Sequence, residues 1–409
     1  MSLAPLRLKK NEERRLRAGH LWIFSNEVDV ATTPLSGFEA GQVVDICDSR
    51  GKPLGSAYVN PQSLICARMI SSLPGAVLDH ALLVKRLKAA LVLRDNLFDK
   101  PFYRLAFGEG DGLPGLVIDR HGDTSVIQIT TAGMERCKDT IIAALHEVVR
   151  PSHIVLRNDA PLRKLEGLEL YVAAVAGTAP EQTVIEENGV RFAISPMSGQ
   201  KTGWFYDHRL NRARMQQYVR GRRILDVFSY SGAWGIQAAV GGAAAVTCID
   251  SSARAVDELR ENADLNAIHQ PIVALVGDAF DALKTLRTES ERYDVVIVDP
   301  PAFIKRKKDL QEGLQAYHRI NEHALQLVEP GGILISASCS FHLERTTLRE
   351  VLLKAAQRAD VRLQILEQGH QAPDHPVHPA IPETDYLKSY ICRVLPAEQR
   401  GPMPADEGG

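Results

Sequence analysis

The spacing of hydrophobic and polar residues divides the chain into segments of different character. Up to about residue 70, apolar and polar residues alternate in short runs, as in residues 41–48, and turn residues such as Gly51 separate the runs. Alternation of this kind is typical of half-buried strands. We therefore expect an all-β domain over residues 1–73.

A second pattern begins after Pro74 and Gly75. Apolar residues then recur at helical spacing, as at Leu83, Leu87 and Leu91. Strand-like runs follow at residues 103–107, 116–119, 125–129 and 153–157, with a further helical pattern at 134–149. This mixture predicts an α+β middle domain over residues 74–182.

A third segment opens with Asn188 and Gly189 between alternating apolar residues. An Asn-Gly pair in this setting predicts a hairpin with a type I′ turn. We take the hairpin as the entry to the largest domain, residues 183–396. Residues 397–409 are polar and contain Pro and Gly, so we expect them to form a disordered tail.

Within this largest domain, strand-like and helical patterns alternate. Strands are expected at residues 223–228, 246–250, 272–276 and 293–298. Such βαβ units predict a parallel sheet, whose ligands bind beyond the carboxyl ends of the strands. Acids stand at or just after those ends: Asp226, Asp250, Asp278 and Asp299.

Composition limits the classes of protein and partner. The 48 Lys and Arg nearly balance the 50 Asp and Glu, so bulk charge predicts no polyanionic partner and any nucleic-acid surface must be local. No apolar run suits a membrane span, and the basic N-terminus is not followed by the apolar core of a secretory signal. The 6 cysteines form no C-x-x-C pair, so we expect neither a disulfide framework nor a metal site, and a cytoplasmic location.

A nicotinamide-dinucleotide fold would share this alternation, but the turn at residues 229–235 lacks the G-x-G-x-x-G pattern and the fourth strand ends in Asp-Pro-Pro-Ala-Phe. Together these features resemble class I S-adenosylmethionine (SAM) methyltransferases. The resemblance implies that the turn approaches the methionine end of SAM, Asp250 binds the ribose and Asp278 reads the adenine amino group. Helix capping is the alternative for each acid.

A candidate nucleophile follows a further strand. Residues 331–338 predict a strand that emerges at Cys339, and residues 345–356 predict a helix after it. A helix N-terminus favours the thiolate form of a nearby cysteine. Cytosine C5 is a poor nucleophile unless a thiolate first adds at C6, and Asp299 could hydrogen-bond or protonate the ring at N3. A packing role for Cys339 is the alternative.

At this point the chain resembles the RlmI-like family of 23S ribosomal RNA cytosine-C5 methyltransferases over nearly its whole length. The resemblance rests on residues 9–15 (KKNEERR), 19–26 (GHLWIFSN), 107–116 (FGEGDGLPGL), 199–209 (GQKTGWFYDHR), 299–303 (DPPAF), 338–340 (SCS) and 374–377 (DHPV). It implies a PUA domain, which is an RNA-binding β-barrel, ahead of the middle domain and a Rossmann-like α/β methyltransferase domain. It also places the family's nucleophile at Cys339.

The implied sites can be given by residue. The catalytic residues are Cys339 and Asp299. SAM is expected to contact Gln200, Lys201, Thr202, Arg209, Asp226, Phe228, Ser229, Ser231, Gly232, Asp250, Ser251, Asp278, Ala279 and Asp299. RNA is expected to contact Lys9, Lys10, Arg14, Arg15, Trp22, Pro300, Phe303 and Lys305, although the basic residues near the N-terminus could equally form a solvated helix face.

Two other functions stay open on the sequence. Asp-Pro-Pro-Ala-Phe resembles the tetrapeptide of methyltransferases that modify an exocyclic base amine, in which case Cys339 would be a packing residue. A non-catalytic RNA-binding assembly factor could also be built on an inherited methyltransferase fold. Large-subunit ribosomal RNA is the expected partner. A homodimer is compatible with the sequence, but no interface can be read from it.

Overall fold

The computed structural model describes residues 3–397, so the predicted tail lies outside the described residues apart from residue 397. The strands are β1 (Ala4–Arg7), β2 (Trp22–Ile23), β3 (Gln42–Cys47), β4 (Pro53–Val59), β5 (Ala67–Ser71), β6 (Phe102–Phe107), β7 (Leu116–His121), β8 (Thr124–Ile129), β9 (His153–Asn158), β10 (Tyr171–Ala176), β11 (Thr183–Glu187), β12 (Val190–Ile194), β13 (Arg223–Val227), β14 (Ala245–Asp250), β15 (Ile272–Val276), β16 (Tyr293–Val298), β17 (Val328–Ser338), β18 (Val361–Gly369) and β19 (Lys388–Pro396).

The α-helices are α1 (Glu13–Arg17), α2 (His80–Leu97), α3 (Ala132–Arg136), α4 (Lys138–Val148), α5 (Arg209–Met215), α6 (Ala233–Val240), α7 (Ala253–Leu265), α8 (Ala279–Thr288), α9 (Leu310–Leu325) and α10 (Arg345–Arg358). Within residues 3–397, none of the helices has the length and apolar character that a bilayer span requires.

The N-terminal strands form a five-stranded sheet in the order β1-β3-β4-β5-β2. β1 pairs in parallel with β3, and the other pairs are antiparallel. Leu6, Val44, Ile46 and Ala57 are fully buried in the core of this sheet. The all-β character predicted for this segment is confirmed.

A second five-stranded sheet, in the order β10-β9-β8-β7-β6, forms the α+β part of the chain. α2 and α4 pack together and contribute Leu83, Leu87, Ile141 and Leu145 to its core. α2 begins where the Asp79 side chain accepts a hydrogen bond from the Leu82 backbone N–H at 2.9 Å. The predicted helix over residues 134–149 is divided at Cys137 into α3 and α4.

The hairpin of β11 and β12 turns at Asn188 and Gly189, whose φ angles are +54° and +79°. Both values suit a type I′ turn, as the sequence predicted. Within the described chain, residues 3–208 and 372–385 form a first compact unit. The hairpin lies in this unit because β11 packs beside β6 and β7, whereas we expected it to open the third domain.

The segment 372–385 is held in the first unit by buried polar contacts. The fully buried Asp374 accepts a hydrogen bond from the Arg94 guanidinium at its main-chain oxygen (2.8 Å) and another from the Arg104 backbone N–H at its carboxylate (3.0 Å). Its other carboxylate oxygen lies 2.8 Å from Nδ1 of His375. Arg94 also forms a bidentate pair with Asp111.

The second unit comprises residues 209–371 and, within the described chain, 386–397. Its seven-stranded sheet has the order β15-β14-β13-β16-β17-β19-β18. The first five strands of this order run parallel, while β19 is antiparallel to both β17 and β18. The predicted Rossmann-like α/β sheet is confirmed, and its central strands form the core with α8, α9 and α10.

Candidate active site

The predicted acids and Cys339 lie at one edge of the large sheet. Along the strand order β15-β14-β13-β16-β17, Asp278 comes just after β15, Asp250 ends β14, and Asp226 lies next to the end of β13. Asp299 directly follows β16 and Cys339 directly follows β17. Because these strands are parallel, the residues stand in a row at the carboxyl edge, where sheets of this class bind ligands.

The turn between β13 and α6 has an unusual backbone. Phe228 and Tyr230 have φ angles of +67° and +48°, and Gly232 has a φ of +88°. A Cβ atom on Gly232 would approach side-chain atoms of Ile236 and Leu259 to within 2.8 and 2.9 Å, so only glycine fits there without rearrangement.

Ser229 and Ser231 belong to the same turn, and both are almost completely buried. Within residues 3–397, neither hydroxyl group has a hydrogen-bond partner. A buried polar group without a partner is costly unless a ligand supplies one. The turn therefore presents two hydroxyl groups that suit a polar ligand.

Asp226 stabilises this turn by a hydrogen bond to its last residue, Gly235. Its side chain is fully buried, and Oδ2 accepts a hydrogen bond from the Gly235 backbone N–H at 2.9 Å. Burial, with smaller contributions from Asp299 and Asp250, raises the pKa of Asp226 to about 8. The side chain is thus a neutral acid near neutral pH, anchoring the first turn of α6.

Asp250 holds the turn and the next helix together. One carboxylate oxygen accepts a hydrogen bond from the Tyr230 backbone N–H and the other from the Ser252 backbone N–H, both at 2.9 Å. Each oxygen keeps further acceptor capacity. Ser251, which lies between Asp250 and Ser252 in the chain, is exposed.

Asp278 is the N-cap of α8. Its Oδ1 accepts hydrogen bonds from the backbone N–H groups of Phe280 (2.9 Å) and Asp281 (3.2 Å). Asp278 is exposed and Ala279, the first residue of the helix, is buried. The capping role that the sequence left open for Asp278 is therefore present.

Asp299 is oriented by an aromatic neighbour. The indole Nε1 of Trp234 donates a hydrogen bond to Asp299 Oδ2 at 3.0 Å. Pro300 is buried, Phe303 is half-buried and Lys305 is exposed. The Phe303 ring contacts three other rings, those of Tyr317 (centroids 4.9 Å apart), Phe228 (6.2 Å) and Phe280 (6.3 Å).

Cys339 is partly exposed between two fully buried serines. Ser338 Oγ donates a hydrogen bond to the Tyr317 hydroxyl, which shares another with Ser340 Oγ, each at 2.8 Å. The Ile304 backbone N–H also donates to Ser340 Oγ at 3.3 Å. Because both serines are held inward, the residue between them is the one that reaches the surface of the sheet edge.

Among the 6 cysteines, only Cys137 and Cys339 are not buried. Burial raises the pKa of Cys66 and of Cys392 to about 12, and it also raises the pKa of Cys248 well above its usual value. Those thiols are therefore poor nucleophiles at neutral pH.

The predicted residues from 200 to 209 are divided between the two units. Gln200, Lys201 and Thr202 lie in the first. Lys201 is exposed, with its ammonium 4.7 Å from the centroid of Phe205, whereas Thr202 is buried and donates a hydrogen bond to Asp119 at 2.5 Å. Arg209 is buried and begins α5 in the second unit.

The predicted RNA contacts near the N-terminus differ in their exposure and in their partners within the protein. Lys9, Lys10 and Arg14 are exposed, and the Lys9 ammonium donates to the Asn26 carbonyl at 2.7 Å. Arg15 instead pairs with Glu27 at 3.1 Å.

Trp22 is held more firmly still. Its indole donates to Glu109 at 2.7 Å, and the guanidinium carbon of Arg68 lies 5.3 Å from the centroid of its ring. Trp22 is thus fixed by the first unit.

Sequence reasoning missed several residues that shape these sites. Asp119 and His121 of β7 hold the 202–206 segment, since His121 lies 3.1 Å from the Thr202 carbonyl and 2.8 Å from the Tyr206 hydroxyl. Tyr317 and Lys388 hold the segment around Cys339. No motif marks these residues, and the signal that could have found them is their placement on strands and helices beside the recognised motifs.

The residues of the described chain, 3–397, contain no group of three or more His, Cys, Asp or Glu side chains that could hold a metal ion.

Two family profiles match the sequence: an S-adenosylmethionine-dependent methyltransferase over residues 162–391 and a PUA-like domain over residues 6–72.

Curated relatives and solved structures agree with these matches. The ribosomal RNA large subunit methyltransferase I proteins of Erwinia tasmaniensis and Yersinia pestis are each 38% identical to this chain, covering 95% of it and 98% of their own length. A methyltransferase solved with SAH has a TM-score of 0.82 at 24% identity, covering 96% of this chain and all of its own. A SAM-dependent methyltransferase structure from Streptococcus mutans has a TM-score of 0.81 at 23% identity, with the same coverage.

The two solved structures show the fold, and the family profile and the curated relatives show the family. The turn at the end of β13, with its buried unpartnered hydroxyls, agrees with SAM as the cofactor. The chain is a SAM-dependent methyltransferase with an N-terminal PUA-like domain, and it belongs to the family of ribosomal RNA large subunit methyltransferase I.

Proposed function

We propose that this enzyme methylates C5 of a cytosine in large-subunit (23S) ribosomal RNA through a covalent bond between Cys339 and C6. The observation that carries the proposal is the partly exposed Cys339 directly after β17, the strand next to the one that Asp299 follows. The names of the curated relatives supply the ribosomal RNA.

The residues of the second unit suit SAM. The buried hydroxyls of Ser229 and Ser231 would receive hydrogen bonds from a ligand, and both oxygens of Asp250 keep acceptor capacity for ribose hydroxyls. Asp278 uses only Oδ1 to cap α8, so Oδ2 is available to an amino group. When bound, SAM supplies an electrophilic methyl group.

We assign further contacts to the predicted residues around this core. Gly232 and Phe228 shape the turn, while Ser251 and Ala279 flank the two acids. Asp226 acts through Gly235, by supporting the turn. Gln200, Lys201, Thr202 and Arg209 remain predicted contacts of the methionine end.

The roles of the protein residues follow from the chemistry of the cytosine ring. The thiolate of Cys339 adds to C6 of cytosine, which makes C5 electron-rich enough to accept a methyl group. The Asp299 carboxyl group, oriented by Trp234, hydrogen-bonds the ring at N3 and stabilises the charge that develops there. A base then takes the proton from C5 as the C6–sulfur bond breaks, which expels the Cys339 thiolate and releases the methylated base.

We assign RNA binding to exposed cations in both units. Lys9, Lys10 and Arg14 lie on the PUA-like domain, and Lys305 follows the Asp299 loop. Phe303 and Pro300 flank the catalytic acid. This function would place the enzyme in the cytoplasm with its ribosomal substrate, and a homodimer remains a prediction.

A trapping experiment tests the mechanism. The enzyme is incubated with SAM and 23S RNA transcribed with 5-fluorocytidine, in which fluorine replaces the hydrogen that must leave C5. A covalent adduct that survives denaturing electrophoresis is expected, and it should be absent in Cys339→Ala. The matched control is Cys137→Ala, which removes the other thiol that is not buried and should leave the adduct intact.

The same experiment separates the two alternatives. If Cys339→Ala retains full methyl transfer, and mass spectrometry finds the methyl group on an exocyclic amine, the Asp299 tetrapeptide would be acting as in amine methyltransferases and the covalent proposal would be wrong. If the wild-type protein binds 23S RNA but incorporates no methyl group, the assembly-factor function is favoured instead.

A further inference from the structure

Lys388 is a buried lysine beside the proposed nucleophile. It begins β19 and is the cross-strand partner of Ser338 in the antiparallel pair of β17 and β19. Its side chain is only 5% exposed. A buried ammonium group is costly unless hydrogen bonds or charges satisfy it, so its position calls for an explanation.

The Lys388 ammonium binds the segment that carries Cys339. It donates hydrogen bonds of 2.7 Å to the main-chain carbonyl oxygens of Ser340 and Tyr386. The first of these carbonyls belongs to the residue directly after Cys339. The ammonium group is therefore fixed on the main chain of the residue that follows Cys339.

We infer that Lys388 is a positioning residue for Cys339, which fixes the Ser340 carbonyl and favours the thiolate form of the nucleophile by its positive charge. This inference rests on the proposed function. A positive charge near a thiol stabilises the thiolate, and a fixed hydrogen bond on the neighbouring peptide limits where the sulfur can point.

The helix after Cys339 does not supply this charge by itself. α10 begins at Arg345, so Cys339 lies outside its first turn, to which the effect of a helix terminus is confined. The sequence prediction of a thiolate stabilised by this helix therefore needs a second source of positive potential. Lys388 is a buried cation that contacts the segment.

Three other elements also contribute polar groups near this segment. Tyr317 of α9 bonds both serines, and burial raises its pKa, which keeps the phenol neutral. Arg345 of α10 donates to the carbonyls of Gly369 and Leu387, at 2.8 and 3.3 Å. Asp299 follows the neighbouring strand β16 and is the carboxyl group that the proposed function assigns to the base.

The test measures the reactivity of the thiol rather than turnover alone. In a Cys137→Ala background, the rate of Cys339 alkylation by iodoacetamide is followed from pH 6 to 10, with Cys339→Ala giving the residual rate. Lys388→Met is expected to move the midpoint of this profile to higher pH by about one unit, since an opposite charge at close range shifts a pKa by about one to three units. Lys388→Arg keeps the charge, so its midpoint should stay close to that of the wild type.

Two controls separate charge from packing. Lys354→Met removes an exposed lysine from the same unit and should leave the midpoint unchanged. Binding of SAM to each variant, measured by calorimetry, should stay within about twofold of wild type, because Lys388 hydrogen-bonds Ser340 and Tyr386, which lie outside the turn at residues 229–235. If Lys388→Met does not fold, Lys388→Gln takes its place as the uncharged variant, and a midpoint raised by about one unit supports the inference.

The inference is overturned if Lys388→Met binds SAM normally and keeps the wild-type midpoint, or if Lys388→Arg shifts the midpoint by a full unit. Failure of the proposed function gives a different result, since Cys339→Ala would then methylate RNA at the wild-type rate whatever the alkylation profile shows.

Discussion

The Tyr317 hydroxyl offers the sharpest test of how the nucleophile is supported. Tyr317→Phe removes one oxygen from a fully buried site and with it the hydrogen bonds to Ser338 and Ser340. A typical buried hydrogen bond contributes about 0.5–1.5 kcal/mol net, so the two together amount to about 1–3 kcal/mol. The serines keep other partners, because Ser340 Oγ still accepts from Ile304 N–H and Ser338 Oγ from the Ser340 N–H.

For a unit of this size, about 2 kcal/mol corresponds to a decrease in Tm of roughly 4–8 °C. We expect Tyr317→Phe to show this decrease by differential scanning calorimetry. We also expect kcat to fall about tenfold, because loss of positioning at a reacting atom is costly. SAM affinity should not change, since the hydroxyl group that is removed bonds Ser338 and Ser340, which lie outside the turn at residues 229–235.

Tyr390→Phe is the matched control. Tyr390 is also buried in the second unit, and its hydroxyl donates one hydrogen bond, of 2.9 Å, to the Arg345 carbonyl. This variant should lose about half as much stability and retain its kcat. The reasoning is refuted if the two variants behave alike in both Tm and kcat, because the bridge between the serines would then have no role in positioning Cys339.

Two further predictions concern the acids of the sheet edge. Asp226 has a pKa raised to about 8 by burial, so the folded state binds its proton more tightly than the unfolded state, where the pKa is near 3.8. This contribution to the free energy of unfolding is fully present below about pH 4 and is lost as the pH rises through 8, at up to about 1.4 kcal/mol per pH unit. Asp226→Asn should flatten the dependence of the urea midpoint on pH between 5 and 8, and equal slopes for the two proteins would contradict the assignment. Asp250→Asn should weaken SAM binding about 10- to 100-fold by calorimetry, because hydrogen bonds to a charged group contribute about 1.5–3 kcal/mol. Asp281→Asn, on an exposed residue of α8, should bind normally, and an unchanged affinity in Asp250→Asn would exclude Asp250 as a SAM ligand.

The sheet edge was predictable from sequence because its information is local. The strands that carry or precede Asp226, Asp250 and Asp299 are mostly apolar, and each acid lies within one residue of a strand end. The hairpin at Asn188 was predictable for the same reason, since a turn pair and its flanking alternation occupy about ten residues.

The supports of the site depend on distant parts of the chain. Lys388 reaches the Ser340 carbonyl across 48 residues, and Trp22 reaches Glu109 across 87. The sequence shows no partner for an aromatic residue near the N-terminus, yet Trp22 is held by the carboxylate of Glu109, in the turn after β6, and by the guanidinium of Arg68 in β5. Such pairings form only when the chain folds, and the local sequence around each residue does not reveal them.

The placement of residues 372–385 in the first unit has a consequence for biosynthesis. Arg94 and its partner Asp374 are 280 residues apart in the chain. As the polypeptide leaves the ribosome N-terminus first, α2 emerges long before Asp374 is made, and domains normally fold in that order. The buried guanidinium of Arg94 therefore has to wait for the late segment, so the amino-terminal half of the nascent enzyme completes its interior only after residue 374 has been translated.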